Sequence, residues 1–237
     1  MYESHEIISY IGEVLTPGAP KLIPDVPEKL AIMTKWQDSC SLIQSEIFTD
    51  LDAALHKRVG NCLIPISIPA FASVGSVVLT WKNVAIAIFM APLLRNKIFC
   101  FLLPVFKIFG IKALNLIPIL KEASTKALPA LLHHLALLEE ELEKGGGPWI
   151  CGDRFTLADV SWIPILDRME LTTFWDSVDQ SSFPRVWQYW NNIQARPCFK
   201  EANLFAKAEI RQKSQAVIRE WKSKHAWFSE NVFGVKK

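Results

Sequence analysis

Glu3 and Ser4 are the residues of this chain whose types and spacing best suit binding chemistry. Ser4 precedes Ile7, Ile8 and Ile11, which share one face at helical spacing, so the serine stands where a helix leaves its first N–H groups unpaired. Those N–H groups and a hydroxyl can hold a carboxylate, and the neighbouring glutamate can hold an ammonium. Together they suit an amino-acid head group; taken alone, Ser4 is a plain N-cap. A second pair, Thr156 and Asp159, lies three apart in the stretch GDRFTLADV. This spacing is that of a capping box, in which the Thr156 hydroxyl accepts from the Asp159 N–H while the Asp159 carboxylate accepts from the Thr156 N–H. Phe155 and Val160 are placed to form the hydrophobic staple that sets the chain's entry angle. The role expected of Thr156 and Asp159 is structural.

Other candidates fall away on spacing. His133 and His134 are adjacent and diverge on a helix, whereas a metal pair needs spacings of three or four. The five cysteines (Cys40, Cys62, Cys100, Cys151, Cys198) are odd in number and contain no CxxC pair, which suits reduced, mostly buried thiols in a reducing compartment. Gly145-Gly146-Gly147 is not followed by the Lys-Ser/Thr of a phosphate-binding loop. No catalytic residue and no metal ligand set is assigned.

The elements that must position these residues are helices. Val160, Trp162, Ile163, Ile165 and Leu166 leave the segment after the cap no polar face, so it belongs in a core, with a bend expected at Pro164. Before the cap, Leu128, Leu131, Leu132, Leu135, Leu138 and Leu142 recur at three and four until the glycine run ends the helix. Phe183-Pro184 opens another helix with an apolar stripe of Val186, Trp187, Trp190 and Ile193, and Arg196-Pro197 closes it. Beyond Glu201 the chain is charged and helical in propensity, a solvated tail helix expected to lean on the domain through a narrow apolar side of Leu204, Phe205, Val217, Ile218, Trp221 and Phe228. Only 64–71 alternates at period two, so the fold class expected is all-α, a helical bundle.

Half of the 237 residues are hydrophobic and the formal charge is +2, so no general basic character argues for nucleic acid. No basic-then-apolar leader follows Met1, and a cytoplasmic location is expected. The average hides an asymmetry. From Ala53 through Lys121 there is no acidic residue and eight lysines and arginines, which leaves −6 for the rest of the chain. Within it, 61–81 is uncharged and about as long as one bilayer crossing of ~20 residues, although Pro65, Pro69 and Gly75 interrupt it. Three uses remain open for 61–120: a buried core, a dimer or domain interface, or contact with a membrane surface.

From its first residues onward the chain resembles a cytosolic glutathione transferase, beginning at the end of that family's first domain. Glu3-Ser4 with Ile7, Tyr10 and Ile11 is similar to the Glu/Gln-Ser stretch that ends the thioredoxin-like domain. GDRFTLADV resembles the N-capping box and staple of the central helix of the all-helical domain. Phe183-Pro184-Arg185, Trp190 and Arg196-Pro197 are similar to the two helices that follow. The apolar span and the long tail are departures, and they faintly resemble the tetrachlorohydroquinone-dehalogenase-like branch. The resemblance implies a remnant of the thioredoxin-like domain at 1–16, a transferase C-terminal-like helical domain at 28–206 with an unusual basic apolar insertion at 59–120, and a helical tail at 207–237. It implies that Glu3 holds the amino group and Ser4 the carboxylate of the γ-glutamyl residue of glutathione, a co-substrate rather than a cofactor. The family's catalytic Tyr, Ser or Cys lies in the part of the thioredoxin-like domain that precedes these residues. Hydrophobic small molecules as acceptors and a homodimer follow from the same likeness. Three functions are consistent with it: transfer of glutathione to hydrophobic electrophiles once a first domain is joined, a non-catalytic helical interaction module, and a membrane-associated transferase-like protein.

Overall fold

A computed structural model describes residues 21–90, 97–202 and 208–235. Among these residues there is no strand, only an isolated bridge between Trp149 and Gly152, and the fold is all-α. The chain divides into two compact units, each assembled from separate stretches, and two of the helices contribute residues to both. The first draws on 21–63, 129–167 and 178–202, the second on 64–128, 168–177 and 208–235.

In the first unit, α1 (Pro27–Ser39) starts with proline at its first turn, where a missing N–H costs nothing, and buries Met33 and Trp36. Helices α2 (Gln44–Thr49) and α3 (Leu51–Lys57) follow, α3 capped by the Asp50 carboxylate on the Ala53 N–H. The turn after them is fixed by Gly60 and Asn61. A side chain at Gly60 would place its Cβ 2.2 Å from the Cys40 carbonyl oxygen, so the backbones meet there only because the residue is glycine. Asn61 is buried, its oxygen accepting from the Ile43 N–H at 2.8 Å and its nitrogen donating to the Ala54 carbonyl at 2.9 Å and the Glu46 carboxylate at 3.1 Å.

The long helix α7 (Pro118–Gly145) buries Leu131, Leu135, Leu138 and Leu142, as the leucine spacing requires. Helix α8 (Leu157–Leu171) is the core helix: no residue from Phe155 to Trp175 is exposed. Trp162, fully buried, lies with its ring 5.8 Å from that of Trp36. Helix α9 (Pro184–Ala195) begins at Pro184 and buries Val186, Tyr189, Trp190 and Ile193, and α10 (Pro197–Ala202) follows it.

The second unit holds α4 (Leu63–Ser73), a π-helical stretch Val74–Val78, α5 (Trp81–Met90), α6 (Lys97–Phe109), α11 (Ala208–Lys224) and α12 (Ala226–Phe233). The segment 64–71, which alternates at period two, is helical here; its residues fill a core rather than a half-exposed sheet face. Residues Val59–Val77 form the one helical stretch long and apolar enough to cross a membrane among the described residues, and 72% of it is buried inside the protein.

The chain's end is helical and leans on the domain through Ile218 and Phe228, as expected, but it is packed more deeply than a solvated tail. Helix α12 buries Phe228, Val232 and Phe233, and the Phe174, Phe228 and Phe233 rings form an aromatic cluster with centroids 4.7 and 5.2 Å apart. Arg219 of α11 pairs with Asp176 at 3.0 Å, and Ser214, buried on the same helix, is hydrogen-bonded to Ser73. The apolar side of the tail is narrow in sequence because a few large aromatic residues carry it.

Candidate functional site

Glu3 and Ser4 lie outside the described residues, so the glutathione half-site expected of them has no geometry here. The polar group the structure does build is in the first unit, around Asp159, whose side chain is completely buried at the start of α8. Its Oδ2 accepts from the Thr156 N–H at 2.7 Å and from the Thr156 hydroxyl at 3.1 Å. The hydroxyl therefore donates to the carboxylate, where the capping-box spacing led to the expectation that it would accept from the Asp159 N–H. A buried carboxylate has more acceptor capacity than one backbone donor fills, and it recruits the hydroxyl.

Oδ1 accepts from the Ile150 N–H at 3.0 Å, nine residues earlier. This second bond ties the glycine loop to the helix. The loop turns back on itself through paired hydrogen bonds between Trp149 and Gly152, with Gly146 and Gly152 at positive φ and Gly147 packed where a Cβ would sit 2.3 Å from the Gly152 carbonyl. Asp159 thus closes both the start of its own helix and the turn that delivers the chain to it.

The electrostatics follow from the burial. Loss of water pushes the Asp159 carboxyl above the usual carboxylate range, and its hydrogen bonds from Ile150 and Thr156 pull it back in part. The buried Tyr189 hydroxyl acts on the same carboxylate without completing a hydrogen bond of ordinary geometry. Tyr189 itself is held well above its usual value by burial and by the Asp159 charge, so it stays a neutral phenol. Phe155 stands beside this clamp with the Arg196 guanidinium 3.8 Å over its ring and the Trp149 ring edge-on at 5.0 Å. The Arg196-Pro197 pair therefore does more than end α9: its arginine roofs the aromatic residue that precedes the cap.

A second junction was not legible from local spacing. Helix α9 has no side-chain cap of its own; the Glu139 carboxylate of α7 accepts from the Arg185 N–H at 3.0 Å and the Val186 N–H at 2.9 Å, while Glu143 pairs with the Arg185 guanidinium at 3.2 Å. An acidic residue at a helix start is a known signal, but here it comes from a helix more than forty residues away.

A cleft of about 390 Å³ opens where α1 meets the end of α7, lined by Lys29, Ile32, Glu141, Lys144 and Cys151. Burial raises the Cys151 thiol, as it does that of Cys40, and it pushes Cys62 up to about 12, so none of these three is a thiolate at neutral pH. His134 is buried and its Nε2–H donates to the Leu55 carbonyl at 2.7 Å, while the exposed His133 ring lies 5.6 Å from that of His56. Desolvation lowers the His134 pKa and keeps it neutral. No cluster of three or more histidine, cysteine or acidic residues among the described residues is arranged to hold a metal ion.

Comparison with known proteins adds a family to this geometry. Residues 121–190, which run from α7 through the clamp to α9, match the glutathione S-transferase C-terminal domain. The chain is 43% identical over 68 residues to the 2,5-dichlorohydroquinone reductive dechlorinase of Sphingobium indicum B90A, and equally to that of Sphingobium indicum UT26S. The match covers 27% of this chain and 19% of each of those relatives. No solved structure matches the chain.

Proposed function

We propose, from the match of residues 121–190 to the glutathione S-transferase C-terminal domain, that this chain is the helical, acceptor-binding part of a glutathione-dependent transferase. The observation that carries the proposal is the coincidence of the matched segment 121–190 with the stretch organised by Asp159, which ties the glycine loop to the start of the core helix. In such an enzyme the glutathione thiolate attacks an electrophilic carbon, a carbon–sulfur bond forms, and the leaving group departs with its electron pair while the thiol proton goes to solvent. Glu3 and Ser4 would hold the γ-glutamyl head group. The thiolate itself needs a donor or positive charge from the thioredoxin-like domain, since Cys40, Cys62 and Cys151 are held neutral and apolar surroundings cannot ionise a thiol.

The acceptor proposed is a hydrophobic electrophile, and the dechlorinase relatives make a chlorinated hydroquinone the first to try. A homodimer and a cytoplasmic location go with this reading. The test is titration of the full chain with 2,5-dichlorohydroquinone, followed by tryptophan fluorescence. Saturable quenching, competed by other hydrophobic aromatics and by no polar analogue, supports an acceptor site. Linear, unsaturable quenching equal to that of free tryptophan contradicts it.

A further inference from the structure

The second unit carries an exposed apolar surface. Helix α5 has the sequence WKNVAIAIFM, yet of its described side chains only Val84 is buried; Trp81 is 57% exposed and Ile86 52%. A helix this apolar normally faces a core. The exposure continues on its neighbour. The Lys107 ammonium of α6 donates to the Ser76 and Leu79 carbonyls at 2.8 and 2.7 Å, which brings the end of α6 beside the turn that starts α5. Ile108, 62% exposed, and Phe109 therefore lie at the same end of the pair as Val77 and Trp81.

Charge narrows the choice of what covers this end. There is no acidic residue from 53 to 121, and two exposed lysines adjoin these side chains in sequence: Lys82, next to Trp81, and Lys112, three residues beyond Phe109. A second copy docked through the same patch would set these lysines against each other. An exposed tryptophan with exposed aliphatic side chains and lysines, and no acidic residue in the same stretch of chain, is what the headgroup layer of an anionic bilayer accepts: the indole and aliphatic groups enter the acyl boundary and the ammonium groups stay with the lipid phosphates. Crossing the bilayer is a different matter, since α5 and α6 have 10 and 13 residues and a crossing needs ~20.

We propose that this end of the second unit, with the exposed Val77, Trp81, Ile108 and Phe109 and the exposed Lys82 and Lys112 close to them in sequence, docks the protein on an anionic lipid bilayer surface. The proposal stands on the second unit and is independent of glutathione binding. It is tested by co-sedimentation of the full chain with vesicles of equal parts phosphatidylcholine and phosphatidylglycerol, against vesicles of phosphatidylcholine alone. The protein sediments with the anionic vesicles and is released by added salt. Trp81→Ala lowers the partition coefficient roughly tenfold, and Lys82→Gln and Lys112→Gln lower it roughly fivefold each. All three side chains are exposed, so the variants keep the melting temperature of the parent. Equal sedimentation with both vesicle types, no sedimentation, or variants that partition like the parent would overturn the proposal. So would a dimer seen by light scattering that Trp81→Ala dissolves while neither vesicle is bound.

Discussion

Replacing Asp159 by asparagine preserves its shape and changes its hydrogen-bonding capacity, which makes the cost of the clamp calculable. The carboxylate accepts two backbone N–H groups, from Ile150 on Oδ1 and Thr156 on Oδ2, and one hydroxyl. An asparagine offers one oxygen, so its NH₂ must face one of the two backbone donors whichever way it turns. The hydroxyl can rotate to accept, but a backbone N–H cannot. One buried donor is left unpaired, at ~1–3 kcal/mol. Alanine leaves both donors unpaired, roughly 2–6 kcal/mol before relaxation. Removing a charge whose burial is itself unfavourable, as its raised pKa shows, returns part of that. A net loss of about 2 kcal/mol for Asp159→Asn and about 3 kcal/mol for Asp159→Ala is expected. At ~2–4 °C per kcal/mol for a chain of this size, the alanine variant melts roughly 6–12 °C lower. Urea denaturation followed by tryptophan emission reads this directly, because Trp162 is buried on the same helix. An alanine variant that melts with the parent, or an asparagine variant less stable than the alanine one, would refute the reasoning.

Other perturbations follow from the same contacts. Glu139→Ala removes the cap that α7 lends to α9 and is expected to cost ~1–2 kcal/mol, measured by denaturant titration, with Glu139→Gln recovering part of it. Gly60→Ala forces a Cβ into the Cys40 backbone and should destabilise by ~1–3 kcal/mol or more, while Gly146→Ala, with open space around its Cβ, is limited to the strain of its positive φ. The His134 pKa is lowered in the folded chain, so the unfolded chain takes up the proton first. Its contribution to stability is complete above the ordinary value of about 6.5 and is lost as pH falls from there through the lowered native value. A His134→Gln variant, whose amide can still donate to Leu55, loses that part of the pH dependence in melts taken across the range.

Periodicity and short spacing in the sequence encode the local elements of this fold. The leucine stripe of α7, the apolar circumference of α8 and Pro184 at the start of α9 are each fixed by residues within one or two turns. The pairing of the Thr156 N–H with the Asp159 carboxylate is likewise a property of three-residue spacing. The contacts that lie outside this reach are those made by folding. The Ile150 N–H reaches Asp159 only because the glycine loop doubles back, and Glu139 caps α9 only because two helices distant in sequence are brought together. Asn61, read as part of an uncharged run, turns out to satisfy three partners at a turn. The aromatic cluster of α12 was hidden for a related reason: Phe228 and Phe233 are five residues apart and their partner Phe174 is more than fifty away.

Glutathione handling is tested most directly by retention on immobilised glutathione of the full chain, of Glu3→Ala and of Ser4→Ala, all three confirmed as folded by their melts. A transferase-type head-group site at the front of the chain predicts that the parent is retained and eluted by free glutathione, and that each alanine variant is retained less. Equal retention of all three, or passage of the parent straight through, would contradict it.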